Sequence, residues 1–374
     1  MPTVMPPRIT KVDQLVFAET PRLVYWELTR ACDLACKHCR AEAIAQRDPR
    51  ELSAEEAKAL LAELRAFGDP PPQLVMTGGD PLKRPDFFDL LAHGRSIGLP
   101  VSVAPSGTPL LTRDAIAALA ASGVESMSLS IDGATAESHD RFRGVAGCFD
   151  ATVRAEQAIR ASGIPLQVNT LVTAETTADL PGVFRLLLDL GIMRWSLFYL
   201  ISTGRGKDLR EIKPGQAEVL HHWVYDLTKT APFAIKATEA PHFRRVAYQR
   251  MRAEGWDEAA IRRTPIGRGF GIRDGNGIMF ISHIGEVYPS GFLPVAAGNV
   301  RHDSPVSLYR RAELFTAIRD VDRYEGKCGC CEFRGICGGS RARAFAATGD
   351  VLGSDPLCPY APECLTGPEE TRPQ

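Results

Sequence analysis

The chain is predicted to be an α/β protein built on a parallel sheet, and three observations carry that reading. Short runs rich in β-branched and aromatic residues alternate with amphipathic stretches of helical period. The runs are apolar almost throughout, as strands covered on both faces are. Several of the amphipathic stretches stop at glycine, as helix C-termini do. The first strand is "LVYWEL" from Leu23. Its helix, "SAEEAKALLAELRAF", opens on the capping-box pattern Ser53-x-x-Glu56. Next come "QLVM" from Gln73 with "RPDFFDLLAHGRSI", "PVSVA" from Pro100 with "RDAIAALAASG", and "SMSLSI" from Ser126 with "CFDATVRAEQAIRASG". "PLQVNTLV" from Pro165 with "DLPGVFRLLLDLG", and "RWSLFYL" from Arg194, complete six βα repeats. Right-handed crossovers between such strands give either an open barrel or a doubly wound sheet.

From about Thr203 to Asp274 the pattern is helical and rich in arginine, and "GIMFISHIGEVYPSGFLP" then predicts a β-hairpin turning at Gly285. The polar end "TGPEETRPQ" is expected to be disordered. A net charge of −1 gives no pull toward nucleic acid or an anionic membrane. No apolar run approaches the roughly 18 residues of a membrane span, and the start lacks the order of a signal peptide. The expected location is cytoplasmic, with no nucleic-acid or membrane partner. Thiols stay reduced there, so the ten cysteines are not expected to form disulfides. Three cluster at Cys32, Cys36 and Cys39, six lie between Cys328 and Cys364, and Cys148 stands alone. Clustered cysteines in a reducing compartment point to metal.

Cys32-x3-Cys36-x2-Cys39 directly follows the first strand. Three thiolates can hold three irons of a 4Fe–4S cluster and leave the fourth open to another ligand. A structural zinc ion wants four ligands, and His38 is too close to Cys39 in sequence to serve. "MTGGDP" ends the second strand with Gly78, Gly79 and Asp80. "SLSIDG" ends the fourth with Ser130 and Asp132, at the edge where parallel sheets gather ligands. "HDRFRG" supplies Arg143, with Arg141 as a rival. In "QVNTLV", Asn169 faces the same side as Gln167 by strand alternation.

These motifs together resemble the radical S-adenosylmethionine (SAM) superfamily, over roughly residues 21–359. The resemblance implies a partial (β/α)6 TIM-like barrel and reductive cleavage of SAM to methionine and a 5′-deoxyadenosyl radical. It implies that Cys32, Cys36 and Cys39 carry a 4Fe–4S cluster whose open iron chelates SAM. Gly78, Gly79 and Asp80 would meet the SAM amino group, with Asp80 replacing the commoner glutamate. Ser130 and Asp132 would face its ribose or methionine part, Arg143 its carboxylate, with Asn169 toward the lumen and His38 by the adenine. A reductant such as flavodoxin or ferredoxin is the implied partner. An iron–sulfur electron carrier without chemistry of its own is the contrasting reading, but it would need no SAM pocket.

At the other end, Cys328-x2-Cys331-x5-Cys337 with Cys358 is a four-thiolate set that would close a 4Fe–4S cluster or hold zinc. Its position resembles a SPASM/twitch domain, which implies an auxiliary cluster. Ser290 and Ser340 stand where relatives carry further cysteines, so the resemblance implies one such cluster rather than two. Cys330, beside these ligands, is the candidate to face substrate. The expected divisions are an extension over 1–20, a barrel over 21–202, a helical bridge over 203–274, the cysteine-rich domain over 275–364 and a tail over 365–374.

"YPSGFLPVAAGNVR", "SLYRRAELFTAIRD" and "CGGSRARAFAATGD" resemble the haem-pathway branch of the superfamily, including iron-coproporphyrin decarboxylase and haem d1 maturase, which act on tetrapyrrole propionates. Maturases of ribosomal peptides are the runner-up, so the substrate is a small molecule or a peptide. Arginines crowd the bridge, and Arg268 and Arg273 in the glycine-rich "GRGFGIRDG" are expected to line the barrel mouth and hold an anionic substrate.

Overall fold

The structure, a computed structural model, describes residues 16–366. Six strands form where the apolar runs predict them: β1 (Leu23–Glu27), β2 (Gln73–Thr77), β3 (Val101–Val103), β4 (Met127–Ser130), β5 (Leu166–Val172) and β6 (Arg194–Tyr199). All six are parallel and lie side by side in chain order. A doubly wound sheet reverses its order at a switch point, so this is the barrel alternative.

Helices between the strands cover the outer face and bury residues such as Leu61, Leu90 and Val183 against the sheet. The helix Ala54–Arg65 starts as expected, with Glu56 N donating to Ser53 Oγ at 3.2 Å and Ser53 N donating back to Glu56 Oε2 at 2.8 Å. The helix Ala136–Arg143, which the patterning did not separate, ends at Gly144 with φ of 73°. That stop sets Arg143 at the helix terminus, facing the sheet's upper edge.

The segment expected to be a helical bridge contains a strand. β7 (Ala234–Thr238) continues the parallel sheet beside β6 and is flanked by the helices Pro214–Thr228 and His242–Ala253. The hairpin is present: β8 (Ile278–Ile281) and β9 (Glu286–Tyr288) are antiparallel, with Gly285 at φ 86°. β8 also pairs in parallel with β1, and a short β10 (Gly298–Asn299) closes the far edge. The barrel sheet therefore passes without a break into the cysteine-rich part, across the division expected at residue 275. The expected disordered tail lies almost wholly outside the described residues, as does most of the N-terminal extension. Among the described residues no helix is long and apolar enough to cross a membrane.

Candidate active site

The loop after β1 carries the cysteine triplet, and the Gly-Gly-Asp-Pro turn holds it in place. Gly79 N donates to Thr29 O and Asp80 N to Ala31 O, both at 2.7 Å, so the loop leaves β1 bonded to the end of β2. Such an approach leaves no room for side chains. Gly78 has φ of 149°, and a Cβ on Gly79 would lie 2.6 Å from Arg30 O. The glycines are thus needed to seat the cysteine loop, beyond any contact with a ligand.

Cys32, Cys36 and Cys39 line one cavity of about 260 Å³ at the C-terminal edge of the sheet. Each sulfur has a donor aimed at it: Leu34 N on Cys32 at 3.4 Å, Ala43 N on Cys39 at 3.4 Å, and Arg143 Nη1 on Cys36 at 3.6 Å. Donors around thiolate sulfur stabilise its negative charge, so this set fits an iron–sulfur cluster.

The same cavity is lined by Gly78, Gly79, Ser130, Asp132, Arg143, Asn169 and His38. Arg143 Nη2 lies 2.6 Å from Asp132 Oδ2 with both side chains largely buried, although the contact is not aligned as a hydrogen bond. Leu171 N donates to Asp132 Oδ1 at 2.7 Å. Burial acts to raise the Asp132 carboxyl, but the Arg143 guanidinium wins and holds it below the usual carboxylate range. His38 stacks on Phe142 with ring centroids 5.0 Å apart. Burial, reinforced by Arg143, pushes this imidazole down to about 4, so it is neutral at physiological pH. Its Nδ1 is buried without a hydrogen-bond partner among the described residues. An orphaned donor or acceptor on a cavity wall, beside a paired acid and guanidinium, fits a polar ligand with an aromatic base.

Asp80 is set apart from the two glycines before it. It is fully buried and absent from this cavity's lining, with Oδ2 accepting from Thr108 Oγ1 at 2.6 Å and Oδ1 from Leu82 N at 3.2 Å. An aspartate is one methylene shorter than a glutamate, and here the carboxylate caps its own turn.

A second cavity of about 250 Å³ occupies the barrel lumen and shares Arg40, Thr77, Ser128, Asn169 and Phe198 with the first. Sequence reasoning missed its charged lining, which includes Arg194 on β6 and Lys236 on β7. The only available signal was a lone lysine inside "AIKAT". Asn169 does face this lumen, accepting from Gln167 Nε2 at 2.8 Å.

In the C-terminal part, Cys328, Cys331, Cys337 and Cys358 line one small cavity of about 30 Å³. Gly339 N donates to Cys337 Sγ and Asp355 N to Cys328 Sγ, each at 3.4 Å, while Arg245 Nη2 lies 4.0 Å from Cys358 Sγ. The donor chemistry again fits a thiolate-ligated metal group. Two expectations fail here. Cys330 is joined to Cys364 by a disulfide, so it is not a free thiol facing substrate, and the expectation of no disulfides fails for this pair. Arg273 is buried away from the barrel mouth: its guanidinium donates to Tyr324 Oη at 2.6 Å and Gly271 O at 2.9 Å, and reaches Arg319 O at 3.3 Å. Five donors in a fixed fork satisfy loop carbonyls as readily as a substrate carboxylate. Arg268 sits on the turn Gly267–Gly269 and lines neither the cysteine cavity nor the lumen.

A partial parallel barrel whose first loop presents three cysteine sulfurs to a polar cavity defines the radical SAM class of enzyme. The radical SAM superfamily pattern matches residues 26–187. An AdoMet-dependent heme synthase of Methanosarcina barkeri is 39% identical over 93% of this chain and 99% of that protein. One from Nitratidesulfovibrio vulgaris is 41% identical over 93% of this chain and 94% of its own length. The chain belongs to the radical SAM superfamily and, within it, to the family of these heme synthases. It is thus a radical SAM enzyme, with a SAM-binding 4Fe–4S cluster and SAM as its cofactors. The crystal structure of Streptococcus suis SuiB bound to S-adenosylmethionine shares the fold, with a TM-score of 0.71 at 17% identity over 91% of this chain and 78% of that one.

Proposed function

We propose that this enzyme decarboxylates propionate side chains of an iron coproporphyrin. The observation that carries the proposal is the lumen: a cavity lined by Arg194 and Lys236, neither ion-paired among the described residues, shares its wall with the cysteine cavity, so a carboxylate-bearing arm can lie beside bound SAM. Similarity to heme synthases along nearly the whole chain supports the same substrate class.

When bound, the cluster and SAM supply a 5′-deoxyadenosyl radical on one-electron reduction. The chain's own residues position the parts. Cys32, Cys36 and Cys39 hold the cluster. Arg143 binds the SAM carboxylate, and Asp132 keeps that guanidinium oriented. Ser130, Asn169 and the Gly78–Gly79 backbone contact the remaining polar groups of SAM, and His38 with Phe142 flanks its base. Neutral His38 brings no added positive charge beside the sulfonium. Cys328, Cys331, Cys337 and Cys358 hold an auxiliary 4Fe–4S cluster, and a flavodoxin or ferredoxin delivers the electron.

Anaerobic incubation of the reconstituted enzyme with SAM, a reductant and iron coproporphyrin III tests this reading. The expected products are 5′-deoxyadenosine, methionine, carbon dioxide and a porphyrin with vinyl groups in place of propionates, detected by mass spectrometry. Each side chain gives up one hydrogen atom to the radical and, as carbon dioxide leaves, one electron to an oxidised iron–sulfur cluster or carrier. Reductant-dependent 5′-deoxyadenosine with unaltered porphyrin would leave the superfamily chemistry standing and overturn the substrate.

A further inference from the structure

Strand register carries the inference. Asn169 on β5 is opposite Ser196 on β6, which is opposite Lys236 on β7. Lys236 therefore stands two strands from Asn169 on the same rung, roughly 10 Å across the sheet. Arg194 starts β6 one same-face step below, and its Nη1 reaches Gln167 Oε1 at 3.3 Å. Both basic side chains line the lumen, and neither forms an ion pair with a carboxylate among the described residues. This contrasts with the molecule's other lumen arginine, Arg40, which is held at 2.7 Å by Glu27. Glu239, the carboxylate that lines this lumen, accepts from Ser340 Oγ at 2.7 Å, and burial and then Asp274 hold its carboxyl well above the usual carboxylate range, so it gives them no full counter-charge. Basic groups facing one enclosed space are costly unless an anion joins them.

We infer that Arg194 and Lys236 form the subsite that takes a carboxylate of the substrate, replacing Arg268 and Arg273 in that role. The inference rests on the proposed tetrapyrrole substrate and assigns it a fixed orientation. A forked guanidinium and a compact ammonium on adjacent strands can grip one carboxylate from two directions. The protonation of Lys236 agrees with this. Burial, then the fields of Arg194, Arg244 and Arg22, push Lys236 down to about 7, with Glu239 acting weakly the other way. Tyr25, across the lumen on β1, is raised by burial and stays neutral. An arriving carboxylate favours charged Lys236, so binding takes up a proton above pH about 7. Affinity should be level below that value and fall as pH rises beyond it.

The test is an absorbance titration of the cluster-loaded enzyme with iron coproporphyrin III. Wild type, Lys236→Met, Lys236→Arg and Arg194→Met are compared, with SAM affinity and iron content measured on each as checks of folding. Either methionine variant should weaken binding about 10- to 100-fold, as loss of a charged hydrogen-bond partner does. Lys236→Met should also lose the decline of affinity above neutral pH, and Lys236→Arg should retain tight binding without that decline. Wild-type affinity in both methionine variants would overturn the inference while leaving the substrate assignment intact. Failure of the wild type to bind the porphyrin would overturn the substrate assignment and the subsite with it.

Discussion

Replacing Cys32, Cys36 and Cys39 together by alanine should lower iron from about eight to about four per chain and abolish 5′-deoxyadenosine formation. The three sulfurs line one cavity and each receives its own donor, as a set of three cluster ligands should. Any single replacement should be enough to stop SAM cleavage, because two thiolates leave a labile cluster. The remaining four irons are the ones expected at Cys328, Cys331, Cys337 and Cys358 if these hold the proposed auxiliary cluster. Iron analysis by inductively coupled plasma, with chromatography of the nucleoside product, reads both quantities. A triple variant that still cleaves SAM would move the reaction away from this cavity. Zinc in place of the residual iron, after anaerobic purification, would contradict the auxiliary cluster alone.

Gly79→Ala should be nearly as damaging, although it removes no cysteine ligand of the cluster. The new methyl group would lie 2.6 Å from Arg30 O, and the neighbouring hydrogen bonds to Thr29 O and Ala31 O fix backbone that cannot swing aside. Overpacking costs about 1–3 kcal/mol, and the two backbone bonds add about 0.5–1.5 kcal/mol each. Against a total stability of about 5–15 kcal/mol, that sum is a visible loss in melting temperature. The displaced loop carries Cys32, so iron loading should fall as well. Gly215→Ala is the control. It lies in the helix Pro214–Thr228, and an added Cβ there would meet nothing within 4 Å. It should be neutral or stabilise by about 0.4–1 kcal/mol. Equal melting temperatures and iron contents for the two variants would show that the glycine turn does not seat the loop.

How much of this could be read before the structure depended on whether the signal was local. β1 to β6 are buried on both faces and announce themselves as apolar runs, and the capping box and glycine stops mark their helices. β7 did not, because five residues with a central Lys236 between two long helices carry no strand periodicity. The thiol triplet was legible since its spacing is a property of one loop. The setting of Asp80 was not legible, because sequence cannot tell a ligand-facing carboxylate from one capping its own turn. The partners of Arg273 were equally hidden, its donors being directed at Tyr324 and loop carbonyls. The pairing of Arg194 with Lys236 was out of reach, since only the register of β6 on β7 brings residues so far apart in sequence into one lumen.

On the proposed mechanism, the radical made in the cysteine cavity takes hydrogen from a propionate arm in the adjoining lumen. Iron coproporphyrin III deuterated along its propionate side chains, turned over once under anaerobic conditions, tests it most directly. Deuterium is expected in the 5′-deoxyadenosine together with a decarboxylated porphyrin. 5′-Deoxyadenosine that carries no deuterium while the porphyrin loses carbon dioxide would contradict it.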